Sequence, residues 1–125
     1  MSRRVLVIAS IKGGAGKSTL AASLAVHWLQ AGRNVALLDT DPNKTLSRWH
    51  AKEGALAAAT LRTELDEHAI LPRIKELRGN HDVTLVDCAG FGNQAMVFAV
   101  GGADQVVVPV MADEASVYVA MRTLK

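Results

Sequence analysis

The chain has 125 residues, half of them hydrophobic, and a formal net charge of +2. That suffices for one small buried core and leaves no marked charge excess to advertise a nucleic-acid or membrane surface. One cysteine, Cys88, excludes an internal disulfide framework and fits a reducing cytoplasm.

Taken in order, the first expected element is a strand over residues 4–9, built on the apolar run from Val5 to Ala9. Met1-Ser2-Arg3-Arg4 before it superficially suggests a secretory leader, but the run gives way to a glycine-rich loop within a few residues, which rules that out. Nothing later has the length and apolarity of a membrane-spanning helix. A helix is expected over 17–31, with Leu20, Leu24, Trp28 and Ala31 at helical spacing and Gly32 as its stop. A strand over 34–38 and a helix over 45–52, carrying Leu46 and Trp49, follow. Residues 54–68 stay open: Ala55 to Ala59 favours helix, and Thr60-Leu61-Arg62-Thr63 suits a short strand. A helix over 70–77 has Pro72 in its first turn, with Gly79-Asn80 to end it. Strands over 83–86 and 105–110 flank a short helix over 94–100, and residues 114–124 read as the start of another helix. Near-continuous apolar strands alternating with helices imply an α/β domain, a mostly parallel sheet with helices on both faces. There are no repeats, linkers or low-complexity tracts, so the whole chain reads as one domain.

The most informative string is Lys12-Gly13-Gly14-Ala15-Gly16-Lys17-Ser18-Thr19, set between the first strand and the first helix. That is the strand–loop–helix setting of a phosphate-binding loop. Binding a triphosphate takes converging backbone N–H groups, a cation and the positive end of a helix. The glycines allow close backbone approach. Lys17 is expected to reach the β- and γ-phosphates, Ser18 to ligate Mg²⁺, and Thr19 to touch the α-phosphate. The common pattern G-x-x-x-x-G-K-[ST] fails because Ile11 stands at its first glycine, and a second lysine, Lys12, stands at the start of the loop.

Two aspartate motifs follow. Val35 to Leu38 runs into Asp39-Thr40-Asp41-Pro42, two carboxylates at the carboxyl end of a strand, where open parallel sheets gather their ligands. The bland alternative for these residues is a helix N-cap or an Asx-turn. Val83 to Val86 ends in Asp87, the Walker B pattern, whose carboxylate holds Mg²⁺. Gly90 sits at the D-x-x-G position, where a backbone N–H can report the γ-phosphate.

The loop resembles the deviant Walker A motif K-G-G-x-G-K-[ST] of the ATPases related to ParA partition proteins, MinD cell-division-site proteins and the nitrogenase iron protein. The D-x-D-P match extends the resemblance, which covers essentially all of this chain but only the first part of the family's domain. It implies a P-loop NTPase of the deviant Walker A/SIMIBI type, with ATP/ADP and Mg²⁺ as cofactors and further strands and helices beyond Lys125. It also implies an ATP-bound homodimer in which Lys12 reaches the partner's nucleotide and offsets charge on the transferred phosphoryl group. By the same match Asp41 would orient the hydrolytic water and Asp39 would sit near the Mg²⁺ shell. The catalytic set is then Lys12, Lys17 and Asp41; the nucleotide set is residues 12–19 with Gly90; the metal set is Ser18, Asp39 and Asp87. A single cysteine argues against the iron protein, which needs more than one cluster thiolate per subunit.

Within the family, the stretch from Asp39 to Trp49 and the Asp87-Cys88-Ala89-Gly90-Phe91 string look most like small ParA-type plasmid partition ATPases. The implied function is segregation of plasmid or chromosome DNA with a small centromere-binding partner, nonspecific DNA being bound by the ATP dimer and hydrolysis being slow and partner-stimulated. Two departures stand out: many partition ATPases read D-x-P-P where this chain has Asp87-Cys88-Ala89-Gly90, and Pro109 to Ser116 replaces a proline-rich stretch. The alternatives are a MinD-like membrane-cycling ATPase and a cobyrinic acid synthase-like or metal-handling ATPase. Arg73, Lys75 and Arg78 share one helix and Arg48 and Lys52 another, readable as solvated faces or as phosphate contacts.

Overall fold

A computed structural model describes residues 3–9, 15–52, 54–88, 94–112 and 115–122, and of residues 15, 16, 109–112 and 115–122 the backbone alone. The elements are β1 (Arg4–Ile8), α1 (Ala15–Gln30), β2 (Val35–Asp39), α2 (Thr45–His50), β3 (Thr60–Thr63), α3 (Ile70–Asn80), β4 (Val83–Asp87), α4 (Gln94–Gly101), β5 (Gln105–Ala112) and β6 (Ala115–Arg122). The open segment before α3 resolves into both readings, a 3-10 turn over Ala55–Ala58 and then β3.

The strands form one sheet in the order β3-β2-β4-β1-β5-β6. β3, β2, β4, β1 and β5 run parallel, and β6 pairs antiparallel with β5. Successive residues of each strand feed opposite faces. Val5 and Val7 of β1 join Ala36, Leu38 and Val86 under α3 and α4. Leu6 and Ile8 join Val35, Leu37 and Leu85 under α1 and α2. A parallel sheet buried on both sides needs strands without a polar face, and β2 and β4 are buried at every position.

α1 ends where the sequence says it should. Gly32 takes φ of 82°, its N–H bonds to the Leu29 carbonyl, and the Arg33 N–H reaches back to Trp28 at 3.0 Å. This paired closure satisfies the last carbonyls and needs a left-handed residue, which glycine adopts without penalty. Gly79-Asn80 does not stop α3, which includes both residues. His81 follows, its Nδ1 on the Leu77 carbonyl and its Nε2 on the Thr60 hydroxyl, tying the end of α3 to the start of β3.

The expected helix over 114–124 is overturned. Residues 115–122 form β6, in register from Ala112 opposite Ala115 to Gln105 opposite Arg122. Val117-Tyr118-Val119 is strand-favouring, and β5 offers a free edge whose backbone groups can pair. Tertiary pairing outweighs the helix-forming alanine and methionine around that centre.

Candidate nucleotide-binding site

The carboxyl ends of β2 and β4 lie side by side, with Asp39 in register with Asp87 and Asp87 in register with Ile8 of β1. The N-terminal turn of α1 follows β1 in sequence and closes the third side. Parallel strands feeding helices place their ends on one edge, and this edge collects Lys17, Ser18, Asp39, Asp41 and Asp87.

Lys17 is the centre. Its side chain is 1% exposed, and its ammonium lies 2.6 Å from Asp41 Oδ2 and 2.8 Å from Asp87 Oδ1. It also donates to the Cys88 carbonyl at 2.5 Å. Ser18 donates its hydroxyl to the other Asp87 oxygen at 3.1 Å. Thr19, next along α1, is exposed.

The three residues after Leu38 are each tied to a different element. Asp39 is fully buried; its Oδ2 accepts from the N–H and hydroxyl of Ser47 in α2, at 3.0 and 2.6 Å, and its Oδ1 from the Asp41 N–H at 3.1 Å. Thr40 donates both its N–H and its hydroxyl to the Asp87 carbonyl, each at 2.9 Å. Asp41 takes the Lys17 ammonium on one oxygen and the Asn43 N–H, at 2.9 Å, on the other. Sequence reasoning gave no role to Thr40 or Ser47. The signal for Ser47 is a serine in the first turn of a helix, eight residues after a buried strand-end aspartate.

These contacts set the ionisation. Burial works against the Lys17 ammonium, but Asp87 and Asp41 outweigh it and hold its pKa above the usual lysine value. Burial dominates at Asp87, pushing its carboxyl above the usual carboxylate range despite Lys17, and the nearby Asp39 charge adds to the rise. Burial also opposes charge on Asp41, yet the bonds from Lys17 and the Asn43 N–H keep its pKa below that range. Cys88 is fully buried, and burial pushes its thiol up to about 11. That is an inert core thiol rather than a nucleophile.

The donor chemistry suits a hard cation. Asp87 is a buried carboxylate, stacked beside a second at Asp39, with a serine hydroxyl against it and one ammonium to neutralise it. Oxygen donors of this kind fit Mg²⁺, which completes its shell with water and phosphate oxygens. Among the described residues no group of three or more His, Cys, Asp and Glu side chains forms a protein-only metal cage. Lys12, Gly13, Gly14 and Gly90 lie outside the described residues, and Ala15 and Gly16 open α1.

The basic helix faces are partly spoken for. Arg73 pairs with Glu76 at 3.0 Å and Glu64 at 3.5 Å, and Arg78 with Asp104 at 3.3 Å. Arg48 folds back onto the Asn43 carbonyl and the Thr45 hydroxyl. This favours the solvated-face reading for these arginines.

Known proteins agree with the fold and place the chain in a family. The profile of the CobQ/CobB/MinD/ParA nucleotide binding domain matches residues 6–108. A "Protein ParA" of Rhizobium radiobacter is 35% identical over 105 residues, 84% of this chain and 47% of the relative. A "Maintenance of carboxysome distribution protein A" of Halothiobacillus neapolitanus is 27% identical over 122 residues, 96% of this chain and 56% of the relative. The crystal structure of cobyrinic acid a,c-diamide synthase from Mycobacterium smegmatis with bound ADP and magnesium superposes with a TM-score of 0.72 at 24% identity, covering 88% of this chain and 60% of that one. The chain thus spans about half the length of the curated relatives it matches. A match over most of the chain, on a sheet whose strand ends gather Lys17, Ser18, Asp41 and Asp87, makes this chain a member of the CobQ/CobB/MinD/ParA nucleotide-binding family.

Proposed function

We propose that this chain is the ATP-binding portion of a ParA-type dimerisation switch that hydrolyses ATP and moves DNA cargo. The observation that carries the nucleotide reading is the Lys17 ammonium held between Asp41 and Asp87, with Ser18 on Asp87. A cation for phosphate, a carboxylate and hydroxyl for Mg²⁺ and a second carboxylate for water converge there, as phosphoryl transfer requires. In this reading residues 12–19 cradle the triphosphate, and Gly90 senses its last phosphate. Lys17 leaves Asp41 for the β- and γ-phosphates, which frees an Asp41 oxygen to orient the attacking water. Ser18 and Asp87 would hold Mg²⁺, which would neutralise negative charge on the phosphates. Asp39 adds negative charge beside that ion. Lys12 enters the site of a second copy.

The ParA-type cargo reading rests on the 35% identity to a ParA protein and on the D-x-D-P match. The similarity to a carboxysome distribution protein across nearly the whole chain supports a second reading, a switch that positions a protein cargo. Among the described residues no helix is long and apolar enough to cross a membrane.

The test uses the intact protein. A fluorescent ATP analogue should bind in a Mg²⁺-strengthened manner, and ATP, not ADP, should promote binding to nonspecific duplex DNA. Between about 50 and 200 mM salt that DNA binding should fall steeply, because phosphate contacts release counterions. Analogue binding without ATP-dependent DNA binding would discard the DNA reading and leave the protein-cargo one. No analogue binding would discard both.

A further inference from the structure

We infer that Ser47 is a positioning residue for Asp41, acting through Asp39. The inference rests on the reading of Asp41 as the water-orienting group.

Asp39 is fully buried at the end of β2, in register with the equally buried Asp87. A buried carboxylate beside another must be compensated by donors or it becomes very costly. Lys17 serves Asp87 and Asp41. Asp39 is satisfied instead by Ser47, whose hydroxyl and N–H converge on one oxygen, which turns the other oxygen toward the Asp41 N–H at 3.1 Å. The orientation of one carboxylate thereby decides where the Asp41 backbone sits.

The same contact closes α2. Its N-cap residue, Lys44, is left-handed with φ of 53° and gives no side-chain cap. The N–H in the first turn is capped by Asp39, from outside the helix. A residue forced into the left-handed region is held there by its surroundings, and here those are the turn closed by the Lys44 N–H on the Asp41 carbonyl and the anchored helix beyond. Loss of the Ser47 hydroxyl leaves Asp39 Oδ2 with one donor, frees the carboxylate to turn, and loosens the loop that aims Asp41. Threonine at 47 keeps the hydroxyl.

The experiment compares Ser47→Ala and Ser47→Thr with the wild type in the intact protein. Hydrolysis, fluorescent-ATP-analogue affinity and amide hydrogen exchange of residues 39–43 are read together. Ser47→Ala should lower kcat by roughly tenfold or more while analogue affinity stays within about twofold, since misaiming a group by a fraction of an ångström costs the chemical step first. Exchange at Asp41 should rise by about tenfold in Ser47→Ala, and Ser47→Thr should restore both rate and protection. Ser47→Ala in an Asp41→Ala background should lower kcat no further. Unchanged exchange at Asp41 in Ser47→Ala would overturn the inference, as would a Ser47→Thr variant as slow as Ser47→Ala. If the wild type hydrolyses no ATP, the exchange measurement still decides whether Ser47 positions Asp41, and what falls is the role given to Asp41.

Discussion

Ser18 places its hydroxyl 3.1 Å from a carboxylate oxygen of Asp87, although 69 residues separate the two. With Lys17 on the other oxygen of the same carboxylate, the first turn of α1 is bonded to the end of β4. The site is therefore also a piece of the protein's internal bracing.

Removing the Lys17 ammonium should damage both functions. Lys17→Ala leaves Asp87 buried without its cation, and stripping one partner from a buried pair costs about 3 to 5 kcal/mol. Urea unfolding of the ligand-free protein should show a loss of that order, and a fluorescent ATP analogue should no longer bind.

Asp41→Ala should separate binding from turnover. Asp41 is partly exposed, and without it Lys17 still keeps its pairing with Asp87, so nucleotide affinity should survive. Single-turnover hydrolysis should slow by about a hundredfold, the scale expected when the attacking water is no longer held in place.

Much of this was legible in the sequence because the chemistry sits where strands end. Lys17, Ser18, Asp41 and Asp87 follow apolar runs or open a helix, and a parallel sheet brings such ends to one edge. Asp39 was less legible. Its motif placed it near the metal, while its oxygens are taken by Ser47 and the Asp41 N–H, bonds that depend on how α2 turns back over β2. The final strand was misread because Ala, Met and Leu around Val117-Tyr118-Val119 allow either structure, and the deciding partner, β5, is a tertiary fact. Residues 54–68 carry no dominant period, so helix over Ala55 to Ala59 and strand over Thr60 to Thr63 both stay open, and the chain forms a 3-10 turn and then a strand there.

Thr84→Val should stabilise the protein. Thr84 is fully buried in β4, in register between Val5 and Ala36, and among the described residues its hydroxyl has no hydrogen-bond partner. An unsatisfied buried hydroxyl costs about 1 to 3 kcal/mol, and valine fills the same volume. A gain of about 1 kcal/mol in thermal or urea unfolding is expected, with nucleotide binding unchanged.

Gly32→Ala should destabilise by about 1 kcal/mol. Among the described residues no neighbour lies within 4 Å of the added methyl, so the cost is that of holding alanine at φ of 82°. A lower Tm without altered analogue binding would show that it acts on the α1 terminus alone.

Cys88 predicts an alkaline limit. Burial raises its thiol pKa from 9.0 to about 11, so the folded state keeps a proton that the unfolded chain releases. The stability tied to that proton is fully present below pH 9 and is lost as pH rises toward 11, a fall of up to about 2 to 3 kcal/mol. The stability gap between wild type and Cys88→Ala should narrow over that window. The native thiol should also resist alkylation at pH 8 until the protein is unfolded.

The strand order has a kinetic consequence. β4 is inserted between β2 and β1, so neither early strand has its central neighbour until residues 83–87 have been made and delivered. The contacts of Lys17 span 24 residues to Asp41 and 71 to Cys88, so the long loop must close before the ammonium finds all its partners. Chains dominated by such distant pairings fold slowly. Nucleotide capture should therefore appear late in refolding, after helix signals have recovered, and a nucleotide-binding signal would serve as a clock for the docking of β4.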